Sequence, residues 1–168
     1  MSNYISYFRP DIDAMQGYVP GEQPKEKSII KLNTNESPFP PSPGVLKTLK
    51  SFNYENLRLY PDPLSTNLRL EIASMFGVSH NCVITGNGSD DILNIAIRCF
   101  TDANRPVAYL SPSYSLYRTL ADLQGAPRIE IPLKEDFTMP EDILVQAAPA
   151  NLLIITRPNA PTGNSFPR

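Results

Sequence analysis

The sequence predicts an α/β fold, a mostly parallel β-sheet with helices on both faces. Four short predicted strands alternate with segments of helical spacing, and they are residues 82–85, 106–110, 128–133 and 152–155. Strands that are joined through helices form right-handed βαβ units, so the strands run parallel. The last apolar segment, Leu152-Leu153-Ile154-Ile155, has no polar residue, which is typical of a strand covered on both faces.

Composition and charge favour a protein that acts on small molecules. The chain has 168 residues, 41% hydrophobic and 19% charged, which suits one domain with a sizeable core. The net charge is -2 without a run of Lys or Arg, so nothing indicates binding to nucleic acid or to an anionic membrane. The sequence shows neither a bilayer-length apolar segment nor an export signal, so we expect a cytoplasmic protein. Cys82 and Cys99 lack the spacing of a redox or metal pair and lie in apolar contexts, which predicts buried free thiols.

The first part of the chain predicts an arm, a short strand and two helices. Residues 1–27 show neither a helical nor a strand period and predict an arm that lies across other parts of the protein. Residues 29–32 are apolar enough for a short strand. Ser42-Pro43 is typical of a helix start, since an N-cap is followed by proline at the first helical position. A second helix with clearer periodicity begins near residue 66, and Gly77 stops it.

The most distinctive segment is residues 83–91, VITGNGSDD, in which a predicted strand passes through two glycines into an acidic helix start. This succession brings unpaired backbone N–H groups and the positive end of a helix dipole to one point. Gly86 and Gly88 permit backbone angles forbidden to other residues, and Ser89 or Asp90 can cap the helix. The helix that follows is apolar on most sides, which indicates a core helix. The segment therefore predicts a site for an anion such as phosphate.

The second half of the chain completes the alternating pattern. One helix is predicted from Tyr114 to Gln124, where Gly125 ends it, and another from Pro140 to about residue 148. Ligands of parallel α/β folds bind at the carboxyl ends of the strands. Three loops at predicted strand ends carry polar and aromatic residues, so we expect them to converge on one crevice; they are residues 86–91, 111–117 and 156–163.

Five motifs connect the chain to a known family through their order and spacing. They are KLNTNESP at 31–38, RLYPDP at 58–63, GNGSDD at 86–91, PSYSLY at 112–117 and PNAPTG at 158–163. In these motifs the chain resembles the N-terminal portion of the histidinol-phosphate aminotransferases, which are pyridoxal-phosphate-dependent aminotransferases of the aspartate aminotransferase fold, also called fold type I. The resemblance implies an N-terminal arm and the start of a small domain over residues 1–52. It also implies that residues 53–168 are the incomplete N-terminal part of the large domain, which binds pyridoxal 5'-phosphate.

The resemblance implies roles for residues in three of the loops. The backbone N–H groups of Ser89, Asp90 and Asp91 would hold the cofactor phosphate, in agreement with the anion site predicted from the residues themselves. Tyr114 would stack on the pyridine ring. Asn159 would donate a hydrogen bond to the ring hydroxyl oxygen of the cofactor. A structural turn with an N-cap, core packing and a Pro-Asn turn are the respective structural alternatives for these positions.

Further residues carry implied roles outside these loops. Tyr60 would reach the phosphate in the site of the neighbouring subunit, which implies a homodimer with shared active sites. Tyr18 would belong to an arm that closes over the substrate, and Asn35 would line the substrate pocket. The resemblance implies no metal.

The chain also departs from the family pattern. Asp91 stands where a Glu is common, and Arg157 stands where an Asn often precedes the Pro-Asn pair. Family members continue to a lysine that forms a Schiff base with the cofactor, and none of the lysines present lies in that motif. We therefore expect no catalytic residue in this chain and no turnover by it alone. The expected activity of the parent protein is transamination between histidinol phosphate and 2-oxoglutarate in histidine biosynthesis.

Four other functions can be weighed against the residues. An aminotransferase for aromatic amino acids and a phosphothreonine decarboxylase share the same N-terminal motifs. A binding or assembly protein without catalysis would retain the anion site. A nucleotide-binding domain fits poorly, because residues 86–91 lack the third glycine of a dinucleotide fingerprint and the Gly-Lys-Ser/Thr of a P-loop.

Overall fold

A computed structural model of the chain describes residues 6–15, 22, 25–26 and 28–166. The described residues form two units. The first, named the sheet unit, contains residues 6–15 and 86–166, and the second, named the helical unit, contains the described residues from 22 to 85. The domain division between residues 52 and 53 that the family resemblance implies stays a prediction.

The secondary structure of the described residues comprises six α-helices and three β-strands. The helices are α1 Pro10–Asp13, α2 Pro43–Lys50, α3 Thr66–Phe76, α4 Ser89–Phe100, α5 Leu116–Gln124 and α6 Ile143–Gln146. The strands are β1 Val107–Ser111, β2 Arg128–Pro132 and β3 Leu152–Ile154. Short 3-10 helices cover Tyr54–Arg58 and His80–Cys82.

The sheet is parallel, with β1 between β2 and β3. Val107 lies opposite Arg128 on one side and opposite Leu152 on the other, so the three strands begin level with each other. The α/β fold and three of the five predicted strands are thereby confirmed. The strand β3 is half-buried rather than fully covered, because it has β1 as its only neighbour in the described part of the chain.

The prediction of a strand at residues 82–85 is wrong. Cys82 ends a 3-10 helix, and Ile84 is 63% exposed. A strand requires a neighbour that satisfies its backbone N–H and C=O groups. No strand of the described residues pairs with this segment.

The core lies on both faces of β1, because successive side chains of a strand point to opposite faces. Ala108 and Leu110 pack on one face with Ile131 and with residues of the α6 region; the buried set is Ala108, Leu110, Ile131, Ile143, Ala147 and Phe166. The opposite face carries Val107, Tyr109, Tyr117 and Ala121, of which the last two belong to α5. The prediction of helices on both faces of the sheet is confirmed.

Helix ends follow the sequence signals at three places. Ser42 accepts a hydrogen bond from the Val45 backbone N–H through its side chain, and Pro43 is the first residue of α2. Gly77 and Gly125 end α3 and α5 with φ angles of 65° and 70°. Helix α4 differs from its prediction as a core helix, since Ile97 is its one buried residue and Phe100 is 52% exposed.

The helical unit lacks a core of its own among its described residues. Ala73 is the one residue there that is buried, whereas Leu49, Met75 and Phe76 are exposed. The strand predicted over residues 29–32 does not form, and its apolar side chains are exposed as well. The expected sizeable core is therefore found in the sheet unit only.

The two cysteines are free, and both Cys82 and Cys99 are exposed rather than buried. Their apolar neighbours in the sequence misled the prediction, because the 3-10 segment and the outer side of α4 are not covered. Among the described residues, no helix is long and apolar enough to cross a membrane, and no three His, Cys, Asp or Glu side chains are grouped to hold a metal ion.

Candidate functional site

Hydrogen bonds join three loops of the sheet unit at the carboxyl ends of β1 and β3. The Asn159 side-chain amide donates to the Pro112 carbonyl oxygen at 3.0 Å, which ties the loop after β3 to the loop after β1. The hydroxyls of Tyr117 and Thr156 are hydrogen-bonded across the same two segments. The Tyr114 hydroxyl donates to the carboxylate of Asp90 at 3.3 Å, which adds the start of α4. The predicted convergence of the three loops is confirmed.

The two glycines before α4 are needed for different reasons. Gly88 has φ 87° and ψ 175°, a backbone region that is essentially restricted to glycine. Gly86 is not among the residues with positive φ, so the expectation of unusual backbone angles is wrong for this residue. A Cβ atom at Gly86 would lie 2.8 Å from both the Asp91 carboxylate and the Ile92 side chain. Gly86 therefore provides space for the Asp91 side chain.

The first turn of α4 presents backbone donors without acceptors. Gly88 is the N-cap and has no side chain, so the expected capping by Ser89 or Asp90 is wrong. The backbone N–H groups of Ser89, Asp90 and Asp91 have no hydrogen-bond acceptor in the part of the chain that the structure describes. Three such donors at the positive end of a twelve-residue helix form a site suited to an anion.

Two carboxylates lie on the same turn and are engaged elsewhere. Asp91 Oδ2 accepts a hydrogen bond from the Asn87 backbone N–H at 2.9 Å. Asp90 accepts from the Tyr114 hydroxyl at 3.4 Å through Oδ1 and at 3.3 Å through Oδ2. Neither carboxylate caps the open N–H groups of the turn.

Tyr114 is half-buried and belongs to a group of three aromatic rings. Its ring meets the ring of Tyr117 edge to face, with 5.7 Å between the centroids and an angle of 86°. Tyr117 in turn lies 5.7 Å from the ring of Tyr109, which is buried in β1. These contacts hold the Tyr114 ring against the core beside the open helix terminus.

Asn159 is only 2% exposed, and its side chain is fully hydrogen-bonded. Its amide nitrogen donates to the Pro112 carbonyl oxygen at 3.0 Å and to the Thr162 hydroxyl at 2.9 Å. Its amide oxygen accepts from the Ser113 hydroxyl at 3.4 Å. Sequence reasoning did not assign Ser113 or Thr162 a role, although both lie within the motifs PSYSLY and PNAPTG.

The other predicted site residues lie outside the sheet unit or outside the described residues. Tyr60 is fully exposed in the helical unit. Asn35 is exposed there as well and has a φ of 53°. Tyr18 lies outside the described residues. The roles of these three residues stay predictions.

The parallel sheet with helices on both faces matches the fold of the aminotransferases of fold type I. The crystal structure of histidinol-phosphate aminotransferase from Sinorhizobium meliloti in complex with pyridoxal-5'-phosphate matches with a TM-score of 0.78 and 23% identity, over 95% of this chain and 44% of that chain. At this identity the similarity shows the fold alone.

The chain belongs to the aminotransferase class I and II family, whose model matches residues 27–168. Histidinol-phosphate aminotransferase 1 from Nostoc sp. is 45% identical over 96% of this chain and 46% of its own length. Histidinol-phosphate aminotransferase from Brachyspira hyodysenteriae is 42% identical over 94% of this chain and 44% of its own length. The chain thus spans a little less than half the length of the curated relatives it matches.

Proposed function

We propose that the protein to which these residues belong is a pyridoxal-phosphate-dependent aminotransferase that acts on histidinol phosphate in histidine biosynthesis. The observation that carries this proposal is the set of open N–H groups of Ser89, Asp90 and Asp91, beside the ring of Tyr114. The names of relatives at 45% and 42% identity support the choice of substrate. Glutamate and 2-oxoglutarate would be the amino donor and its product.

The first turn of α4 fits the phosphate of the cofactor. Backbone N–H donors bind a phosphate oxygen through charge-assisted hydrogen bonds, and the helix dipole adds to the attraction. Gly88 gives the turn its backbone angles, and Gly86 leaves room for Asp91. The cofactor, when bound, supplies an electron sink for the substrate carbanion. The chain holds the cofactor by its phosphate and keeps the ring in a fixed plane through Tyr114.

Asn159 fits its proposed role on one condition. Both N–H bonds of its amide are engaged, with Pro112 and with Thr162, so a hydrogen bond to the cofactor ring requires the release of one of them. Thr162 is the partner that can be released, because its hydroxyl also bonds Asn164 and a hydroxyl can rotate. The bond to Pro112 then continues to orient the amide.

The remaining roles belong to the same proposal. Tyr60, whose side chain is fully exposed, would contact the phosphate in the second subunit of a homodimer. Tyr18 and Asn35 would contact the substrate. The protein would work in the cytoplasm on small-molecule amino donors and acceptors, without nucleic acid or membrane partners.

Binding of the cofactor phosphate can be tested on this chain. Titrations with pyridoxal 5'-phosphate and with pyridoxal, which lacks the phosphate, should differ in dissociation constant by at least about tenfold, because hydrogen bonds to a charged group contribute about 1.5–3 kcal/mol. Gly88→Ala should remove this difference, whereas Gly44→Ala, in α2, should leave it unchanged. Equal affinity for the two compounds would contradict the proposed phosphate site.

The substrate can be tested on the gene product purified from its native source. Transamination between histidinol phosphate and 2-oxoglutarate should exceed that with aromatic amino acids, and phosphothreonine should not be decarboxylated. These 168 residues alone should show no turnover, because none of their lysines lies in the Schiff-base motif. A native product that is inactive on histidinol phosphate would refute the proposed substrate. Tight cofactor binding without any turnover by that product would favour the binding protein.

A further inference from the structure

The carboxylates of Asp90 and Asp91 raise a problem for phosphate binding at the start of α4. Carboxylates in the first turn of a helix are attracted to its open N–H groups and to the positive end of the dipole. A carboxylate in that position would occupy the donors and would repel a phosphate dianion. Each of the two side chains is instead hydrogen-bonded outside the turn.

Asp91 is held by the glycine turn itself. Its Oδ2 accepts from the Asn87 backbone N–H at 2.9 Å, in the space where a Cβ of residue 86 would lie. The absence of a side chain at Gly86 therefore permits this orientation. Within the described part of the chain, no comparable backbone donor engages Asp90.

Asp90 is held by Tyr114 from a different loop. Both oxygens of its carboxylate lie 3.3–3.4 Å from the Tyr114 hydroxyl, while Ser89 Oγ lies 3.5 Å from Oδ1. These distances are long for O–H···O hydrogen bonds, so the interaction steers the carboxylate rather than fixing it rigidly. The Tyr114 ring is positioned independently, by its edge-to-face contact with Tyr117 at 5.7 Å.

We propose that the hydroxyl of Tyr114 is a positioning group that holds the Asp90 carboxylate away from the N–H groups of the α4 first turn and so keeps them open to the cofactor phosphate. This inference rests on the proposed function, because it concerns the same phosphate site. It gives Tyr114 a second role besides its ring face. It also distinguishes two groups of Asp90: the backbone N–H is a phosphate donor, and the side chain must be kept away from the phosphate.

A double-mutant cycle separates this role from a purely structural one. The four proteins are the wild type, Tyr114→Phe, Asp90→Asn and the double variant, and the measured quantity is the dissociation constant of pyridoxal 5'-phosphate from isothermal titration calorimetry. Tyr114→Phe keeps the ring and releases the charged Asp90, so binding should weaken by about threefold to tenfold, the range for one like charge close to a partly exposed anion. In the Asp90→Asn background no charge is released, and Tyr114→Phe should change the dissociation constant by less than about twofold.

A second measurement does not depend on cofactor chemistry. In a titration with inorganic phosphate, the amide resonances of the first turn of α4 should shift in the wild type and in Asp90→Asn, and the shifts should saturate at higher concentrations in Tyr114→Phe. Circular dichroism checks that all four proteins fold. Tyr54→Phe is the control, because it removes an exposed tyrosine hydroxyl of the helical unit and should leave both titrations unchanged.

The outcomes distinguish this inference from the proposed function. If the wild type binds pyridoxal 5'-phosphate better than pyridoxal and Tyr114→Phe weakens binding equally in the wild-type and Asp90→Asn backgrounds, the positioning role is overturned and the proposed function stands. If the wild type does not discriminate between the two compounds, the phosphate site fails and the positioning role fails with it.

Discussion

The side-chain amide of Asn159 donates a hydrogen bond to the backbone carbonyl oxygen of Pro112, 47 positions earlier in the chain. The bond connects the loop that leaves β3 to the loop that leaves β1. Asn159 is buried, and its loss deprives its partners Pro112, Ser113 and Thr162 of partly buried hydrogen bonds. The arrangement of the two loops therefore depends on this side chain together with the hydrogen bond between the hydroxyls of Tyr117 and Thr156.

Replacement of Asn159 by alanine should lower the free energy of unfolding by about 1–3 kcal/mol, because a buried, fully hydrogen-bonded side chain is lost and its partners lose partly buried hydrogen bonds. Urea unfolding followed by circular dichroism measures the change. Asn104→Ala, at an exposed position of the same unit, is the matched control and should stay within about 0.5 kcal/mol of the wild type. Equal stabilities of the two variants would show that the loops are held together by other contacts.

Alanine at Gly88 should destabilise the chain by about 1–3 kcal/mol, because φ 87° and ψ 175° are strained for any residue with a Cβ. Alanine at Gly44 should instead stabilise the chain. That glycine lies in α2, and the nearest atom to an added Cβ is 3.7 Å away, so a gain of about 0.5–1 kcal/mol is expected. Thermal unfolding of both variants tests the prediction, and a neutral Gly88→Ala would contradict the strained turn.

Burial, followed by the hydrogen bond to Glu130, raises the pKa of Tyr109 above its ordinary value. The folded protein therefore retains the phenol proton at pH values where the unfolded chain, with a pKa of about 10, loses it. Above about pH 10 the free energy of unfolding should fall by at most about 1.4 kcal/mol per pH unit on account of this group, and below pH 10 its contribution should be constant.

The same pH series on Tyr109→Phe should show a shallower fall above about pH 10, since phenylalanine has no proton to lose. Tyr54→Phe, which removes an exposed phenol from the helical unit, should follow the wild type. Identical slopes for wild type and Tyr109→Phe would mean that other groups carry the alkaline destabilisation.

The exposed apolar side chains of α3 should promote self-association or dye binding without adding much to stability. Met75→Gln and Phe76→Gln, at positions 79% and 71% exposed, should reduce binding of a hydrophobic dye and leave the free energy of unfolding within about 0.5 kcal/mol. Ala73→Gln, at the buried position of the same helix, should instead destabilise the chain. A loss of stability in the first two variants would indicate that these side chains are covered.

Local signals in the sequence were enough to predict much of the fold. Gly77 and Gly125 end helices because a left-handed residue closes the last turn, and that preference belongs to glycine wherever it occurs. Strands β1 and β3 are largely apolar, β2 alternates charged with apolar residues, and the three strands pair in one sheet. Residues 83–85 are apolar too, but the described chain offers no strand to pair with them, and pairing cannot be deduced from one segment.

The candidate site was predictable at the level of loops and less so at the level of atoms. The glycine turn predicted an anion site, and the open N–H groups of the α4 first turn agree with that prediction. The N-cap residue of α4 was predicted wrongly. Gly88 and Ser89 are adjacent, and only the backbone angles show that the helix begins after Gly88. The partners of Asn159 depend on a loop distant in sequence, so its engagement with Pro112 and Thr162 required the three-dimensional structure.

The phosphate donors proposed at the start of α4 are main-chain nitrogens, and every amino acid except proline carries such an N–H group. Mutation of Ser89 to most other residues therefore leaves the donor in place, so this position should tolerate substitution. Gly88 lacks that freedom, because any side chain strains the turn, whereas a Cβ at Gly86 would displace the ends of the Asp91 and Ile92 side chains. Random mutagenesis with selection for phosphate binding should return varied residues at position 89 and glycine at position 88.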